Sequence, residues 1–426
     1  MRLLLGLLFS IFFISATHAQ RTCGTVPYTQ QMILANPSLL NSYNKLQQQP
    51  SGYMGRPTNN AAIDTTANQI ITIPVVIHLL YNTTDQNISD SQILSQLVVL
   101  NQDYRRQNAD TNLTPPAFKP FAADARINFC LARVDTQGYI TTGIIRKHTN
   151  QQLFLPNDAM KYSAQGGDDT WDCTKYLNIW VCNLISSSLG YGTMPGGPPD
   201  RDGIVVCFNV FGTVGDDLLY PYNLGRTATH EIGHWLGLRH TWGDANCGDD
   251  SIADTPQQES YNFGCPSFPH LSSCSPNANG DMFMDYMDFT NDACMNMFTV
   301  DQVRKMRSFF ALNNIRNSIL NAYQCDSATG KADPPGYNVS EDTIVTQPVV
   351  KTYPNPFHTQ LTIESKDISP LAEKTLNIYN VLGIKVFETQ LYQPFTTLSL
   401  SSLPTGIFIL SIGEGSNVFT TKIIHE

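Results

Sequence analysis

Residues 226–243 read RTATHEIGHWLGLRHTWG. His230 and His234 stand four apart, so on a helix they share one face, a turn apart. Two neutral imidazoles in that arrangement reach a single zinc ion. Glu231, beside the first of them, offers a carboxylate able to take a proton from a water on that metal. Gly237 lets the backbone turn, because glycine tolerates φ > 0 without steric cost, and the turn brings His240 round as a third ligand. Three protein ligands leave a fourth position open, which a catalytic zinc needs and a structural one lacks. A lone histidine here would read as an ordinary buried or surface residue; the full H-E-x-x-H-x-x-G-x-x-H pattern does not. Ile232, Trp235, Leu236 and Leu238 fill the spaces between the ligands and read as core that holds them rigid and keeps the site partly dry.

The stretch resembles the metzincin zinc peptidases and, within them, the secreted bacterial members of the pappalysin family. The resemblance continues through DTPQ at 254–257 and MDYMDFTNDACMNMF at 284–298. Upstream it takes in IPVVIHLLYN at 73–82, YLNIWVCNL at 176–184, LGYGTMPGG at 189–197 and DGIVVCFNVFG at 202–212. It implies a Met-turn in which Met287 forms an apolar floor beneath the zinc ligands. It also implies disulfides Cys247–Cys274 and Cys265–Cys294, where the sequence alone allows three pairings of those four cysteines. Asp249, Asp250, Asp254 and Thr255, with Asp244 nearby, offer hard oxygen ligands in a short loop. Such oxygens suit calcium; a solvated acidic loop is the bland alternative, and the family's use of calcium favours the ion. Asp292 matches an acid that lies in the S1′ pocket of relatives and favours Arg or Lys after the scissile bond, as an ion pair at a pocket base would. One departure matters. The family usually carries a tyrosine two residues after the methionine, with a hydroxyl that steadies the oxyanion; this chain has Phe289, which has no such donor. Losing one donor costs about 10²–10³ in rate if nothing replaces it, and Tyr286 is the nearby candidate.

The 426 residues allow two or three domains and a large core. A net charge of −10 argues against nucleic-acid partners and an anionic membrane surface. Arg2 followed by LLLGLLFSIFFI, with small residues before Gln20, makes residues 1–19 a secretory signal peptide. No later run is long and apolar enough to span a bilayer. Export makes disulfides plausible for the ten cysteines. Cys182 and Cys207 lie in apolar runs and read as buried thiols, while Cys130, Cys173 and Cys325 have no assignment.

Residues 20–60 are polar, with one short helix expected near MILANPSLLNSYNKL, and read as a propeptide. Cys23, in RTCGT, lies close to the new N-terminus. A thiolate is a strong zinc ligand that would fill the open position and hold the enzyme latent, as cysteine switches do in related peptidases; Arg56 is a candidate activation site. Residues 61–325 form the expected catalytic domain. Buried strands at ITIPVVIHLLY, INFCLARVD, YLNIWVCNL and GIVVCFNVF alternate with a helix from Asp90 to Gln107 that buries Ile93, Leu94, Leu97 and Leu100. The pattern predicts an α/β metzincin-like fold: a twisted mixed sheet plus helices, above an irregular disulfide-held lower subdomain. A last helix is expected over Thr299–Ala322, opened by a Thr299/Gln302 capping box.

Residues 326–350 read as a linker. From 351 to 426, seven or so short alternating strands predict a small all-β sandwich. By itself that could be a carbohydrate-binding or adhesion module. YPNPF at 353–357, Asn380-Val381-Leu382-Gly383 and Leu403-Pro404-x-Gly406 before Phe408 resemble the C-terminal sorting domain of the type IX secretion system, which implies that machinery as a partner and a secreted or outer-surface location. The expectation is therefore a zinc endopeptidase acting on protein or peptide substrates, with zinc and, in the acidic loop, calcium as cofactors. Its rivals are a weak or inactive protease-fold binding protein, favoured only by Phe289, and another zinc hydrolase such as an amidase of cell-wall peptides.

Overall fold

The computed structural model describes residues 22–47, 69–185, 188–311, 313–321, 325, 350–365, 374–380, 384–391, 395–413 and 419–426. The signal peptide, Arg56, residues 326–349 of the linker and Val381–Gly383 lie outside the described residues. The chain separates into two units, Met1–Asp333 and Pro334–Glu426.

In the first unit two helices, α1 (Thr25–Ala35) and α2 (Ser38–Gln47), precede β1 (Ile71–Tyr81). They replace the single helix expected there, because the chain breaks at Asn36, whose side chain accepts from Ser38 N at 3.3 Å. Then follow α3 (Asp90–Tyr104), β2 (Ala122–Ala123), β3 (Ile127–Leu131), β4 (Ile144–His148), β5 (Leu177–Cys182), β6 (Gly190–Gly192) and β7 (Ile204–Cys207). Helix α4 (Arg226–Trp235), β8 (Phe298–Thr299) and α5 (Val300–Ser308) complete the unit.

The main sheet runs β3-β1-β5-β7-β6, with β4 pairing the second half of β1. All its pairings are parallel except β6 with β7. A parallel sheet is covered on both faces, and β1 and β5 are accordingly buried almost throughout. Strand β6 is the edge, and α4 packs beside it. Helix α3 begins at a Ser89 cap and turns Ile93, Leu97 and Leu100 inward; Leu94, expected with them, is exposed, and Val99 is buried instead.

The segment between α4 and β8 contains only one short 3₁₀ turn and is tied by Cys247–Cys274 and Cys265–Cys294. Cys130 joins Cys325, a pairing not anticipated. Cys182 and Cys207 are buried thiols facing each other across β5 and β7. The last helix is shorter than expected. Its capping box is present, but α5 ends at Ser308 and, among the described residues, a 3₁₀ turn follows at Asn317–Asn321. Asn313 takes φ 65°, and the reversed chain delivers Arg316 to buried Asp202. One continuous helix would forfeit that pair.

The second unit is all β. One sheet contains β9 (Val350–Tyr353), β10 (Gln360–Ser365) and β13 (Phe395–Ser399); the other contains β11 (Lys374–Asn380), β12 (Lys385–Leu391), β14 (Gly406–Ile412) and β15 (Phe419–His425). Alternate residues of both sheets, among them Ile363, Ile378, Leu398, Phe408 and Leu410, form one core. Phe357 of YPNPF is buried with its ring stacked on His425.

Candidate metal centre and latent cleft

Helix α4 carries the decisive side chains. Its first turn is held from outside: Asp292 accepts from Leu224 N at 2.9 Å and from Arg226 N at 3.2 Å. A carboxylate there also opposes the helix dipole. Arg226 pairs with Asp103 of α3, and Asp103 accepts Thr229 Oγ1 at 2.7 Å and the Tyr286 hydroxyl at 2.9 Å. Burial pushes Asp103 up to about 6, the Arg226 charge opposing it. Tyr286 is wholly buried with its hydroxyl committed to Asp103, so it does not supply the donor that Phe289 lacks. Phe289 packs its ring against His230, His240, Trp242 and Tyr261.

Each histidine is oriented through Nδ1. His230 Nδ1 faces Tyr286 O at 2.7 Å, His234 Nδ1 faces Leu238 O at 2.9 Å, and His240 Nδ1 faces the Asp244 carboxylate. Such acceptors favour the proton on Nδ1 and turn each Nε2 towards the centre of the cluster. Burial would raise Asp244, but the His240 contact outweighs it and the carboxyl lies below its usual value. Asp244 thus serves His240 rather than the acidic loop. His240 also stacks flat on Trp242, centroids 4.3 Å apart. Gly237, at φ 84°, makes the turn that returns His240.

The three Nε2 atoms converge, with His234 Nε2 3.2 Å from that of His230 and 3.0 Å from that of His240. Two nitrogens bound to one tetrahedral zinc stand about 3.3 Å apart. Burial, and next His240, pushes His234 down to about 3. Three imidazole nitrogens gathered this closely suit a single cation, and imidazole and thiol are donors zinc favours. Met287 lies below: an added Cβ on Gly233 would sit 2.4 Å from its sulfur.

Cys23 completes the cluster, its Sγ and the histidine nitrogens lying within 4.8 Å of one another. Among the described residues this is the one such group of three or more His, Cys, Asp or Glu side chains. The segment carrying Cys23 lies along the edge strand. Cys23 bridges Gly190 in parallel sense, Leu189 N donates to Thr22 O at 3.1 Å, and Gly24 N donates to Gly190 O at 2.8 Å. Thr25 donates to Glu231 Oε2 at 3.0 Å and accepts Gly192 N at 2.8 Å. Cys23 Sγ lies 3.4 Å from the same carboxylate oxygen.

Thr25, Gly190 and Gly192 were not singled out in the sequence. An added Cβ on Gly190 would come within 3.0 Å of the Glu231 side chain, and one on Gly192 within 2.8 Å of the Glu231 carbonyl. The G-Y-G spacing on an edge strand was the available signal. The acidic-loop residues do not converge as a single cluster. Asp249 accepts from Ser251 N, Asp250 from Ile252 N and Thr255, and Asp254 from Asp301 N. A cavity of about 260 Å³ nevertheless lies between Asp249, Asp250, Thr255 and Thr241.

An α/β sheet whose edge strand flanks a helix bearing three convergent histidines and a carboxylate defines a metal-dependent hydrolase. A family model described as pregnancy-associated plasma protein-A matches residues 161–311, and one described as a secretion system C-terminal sorting domain matches residues 351–426. An extracellular metalloprotease of Arthroderma benhamiae is 31% identical over 300 residues, 68% of this chain and 91% of its own. Mature mirolysin of Tannerella forsythia, solved with a cleaved peptide, is 48% identical, with TM-score 0.59, over 62% of this chain and 99% of that one. A promirolysin mutant of the same organism is 42% identical, with TM-score 0.63, over 74% of this chain and 100% of that one. The chain belongs to the pappalysin family of zinc metallopeptidases. It is a secreted or cell-surface metalloendopeptidase of zymogen type with a type IX secretion sorting domain. Among the described residues no helix is long and apolar enough to cross a membrane.

Proposed function

We propose that the chain is a latent zinc endopeptidase in which His230, His234 and His240 hold the metal and Glu231 is the general base. The observation that carries this is the convergence of three Nε2 lone pairs next to a carboxylate on the same helix. Zinc held there supplies Lewis acidity toward a carbonyl oxygen and makes water more acidic. Glu231 takes the proton of the attacking water and returns it to the leaving amine. Once residues 20–60 leave, the edge of β6 that Cys23 and Gly24 cover is open to an extended peptide, whose scissile bond would lie beside Glu231. Met287 supports the ligands from below. In a Glu231→Ala protein with zinc content unchanged, kcat should fall about 10²–10⁴-fold; full activity would overturn the assignment.

Latency follows from the same contacts. Cys23 would supply a further ligand to a metal held by the three histidines and Thr25 engages the base, so removal of residues 20–60 is the activating event. Residues 1–19 act as the signal peptide, 61–325 as the catalytic domain, 326–350 as linker and 351–426 as sorting domain. Asp292, a buried carboxylate that accepts from Arg226 N four residues before His230, is proposed to select Arg or Lys after the scissile bond; peptide-library cleavage without that preference would remove this role. Calcium is proposed at the cavity beside Asp249, Asp250 and Thr255, with Asp254 bracing the loop. Burial raises Asp250 to about 7 despite the donors Ile252 N and Thr255, and a nearby cation would favour its charged form. Calcium should raise the thermal midpoint of the wild type and not that of Asp250→Asn.

A further inference from the structure

Three residues beyond Thr25, Tyr28 plunges into a polar seat in the first unit. It is 3% exposed although it lies on a short helix whose other face is open to solvent. Its hydroxyl donates to Asp158 Oδ2 at 2.8 Å, and its ring tilts against Tyr191 with centroids 4.7 Å apart. Lys161, fully buried, stands 5.1 Å from the ring centroid and pairs with Asp158 at 3.0 Å. Arg201 reaches Asp158 at 3.3 Å from the other side. Lys161 is fixed in turn by Thr193 Oγ1 and Arg201 O. Aromatic walls, a cation over the ring and a carboxylate at the hydroxyl therefore match each part of a phenol.

We infer that the seat of Tyr28 becomes a binding pocket for a phenolic side chain in the activated enzyme, selecting tyrosine at one fixed position of the substrate. This rests on the reading that residues 20–60 leave on activation. The partners named above, Asp158, Lys161, Tyr191 and Arg201, all belong to residues 158–201, which stay behind. Asp158 is held in its left-handed conformation, φ 65°, by its own neighbours. The pocket is thus built before any substrate arrives, and losing Tyr28 leaves a buried carboxylate without one of its donors. Its location suits a subsite. Tyr191 belongs to edge strand β6, between the glycines that face Glu231, and Thr25 touches Glu231 itself. From Thr25 to Tyr28 a helix advances only about 4.5 Å, which an extended substrate covers in one to two residues.

The test uses the full chain activated by limited proteolysis. Peptides that differ only in Tyr or Phe are compared at each of four positions on either side of one scissile bond. At a single position Tyr should exceed Phe in kcat/KM about tenfold, the worth of one hydrogen bond to a charged acceptor. Equal values at every position would overturn the proposal. Binding of a labelled peptide of residues 22–47 is measured in parallel, and its Tyr28→Phe version should bind about tenfold more weakly. If both versions bind equally, the pocket is refuted while the latency reading stands. If neither binds, the latency reading has failed, and the substrate comparison alone decides the pocket.

Discussion

Arg316 is the residue whose loss should most damage the catalytic unit without touching its chemistry. It is buried and forms a two-pronged pair with Asp202, Nη1 to Oδ2 at 2.6 Å and Nη2 to Oδ1 at 3.0 Å. Its guanidinium lies 3.7 Å from the centroid of Trp235 on α4 and donates to Trp235 O. Asp202 in turn accepts the Trp235 indole N–H at 2.9 Å. Arg316→Met preserves much of the apolar volume but strands the Asp202 charge in the interior. Removing one partner of a buried pair costs about 3–5 kcal/mol. At about 2–4 °C per kcal/mol, the thermal midpoint should drop by about 6–20 °C. All four tryptophans, Trp171, Trp180, Trp235 and Trp242, lie in the first unit, so their fluorescence follows its unfolding without interference from the sorting domain. Combining Arg316→Met with Asp202→Leu removes both charges and should recover most of the loss. A single-variant drop below about 3 °C, or a double variant no better than the single, would refute the argument that the charge, rather than lost packing, carries the cost.

Other outcomes follow from contacts already described. Tyr286→Phe should cost about 1–3 kcal/mol by depriving Asp103 of a donor and leave kcat essentially unchanged; a large fall in kcat would restore the tyrosine as an oxyanion donor. Phe289→Tyr should raise kcat, up to about 10²-fold if its hydroxyl reaches the developing charge, and steady-state kinetics on one peptide decides it. Lys305 donates to Leu46 O, and burial, with Arg239 next, lowers it to about 8. Folding therefore favours its neutral form, so stability of the latent chain should rise as pH climbs from about 8 towards 10.4. Lys305→Met should flatten that rise in urea titrations. Replacing Cys130 and Cys325 by serine opens a loop of 195 residues and should cost up to about 5 kcal/mol in the chain-entropy account; an unchanged midpoint would mean that the bond constrains little.

The metal-binding helix was legible because its chemistry demands rare residues at helical spacing, with His230 and His234 a turn apart on one face and Glu231 beside the first. The buried strands of the sheet declared themselves as β-branched runs, and the sorting sandwich as alternation between turns. Local signals also placed the Thr299/Gln302 capping box, since its partners are three residues apart. What followed α5 was not local. The apolar residues Val303, Met306, Phe310 and Leu320 read as one helix, yet the chain turns after α5 and Arg316 pairs with Asp202, 114 positions away.

The same limit explains the site. Three histidines and a carboxylate can be read from eleven residues, whereas the partners of the histidine Nδ1 atoms come from Tyr286 O, Leu238 O and Asp244. Thr25 meets Glu231 across 206 positions and Tyr28 meets Asp158 across 130. Tyr286 and Phe289, three residues apart, part company completely: one hydroxyl is spent on α3 while the other position offers only a ring to the histidines. Sequence by itself determined the metal chemistry and the two-part architecture, because spacing and periodicity act over a few residues. Tertiary structure alone decided which backbone edge the N-terminal segment covers, which carboxylates support histidines and which hydroxyls remain available. Those contacts depend on burial and distance between segments that no local pattern encodes.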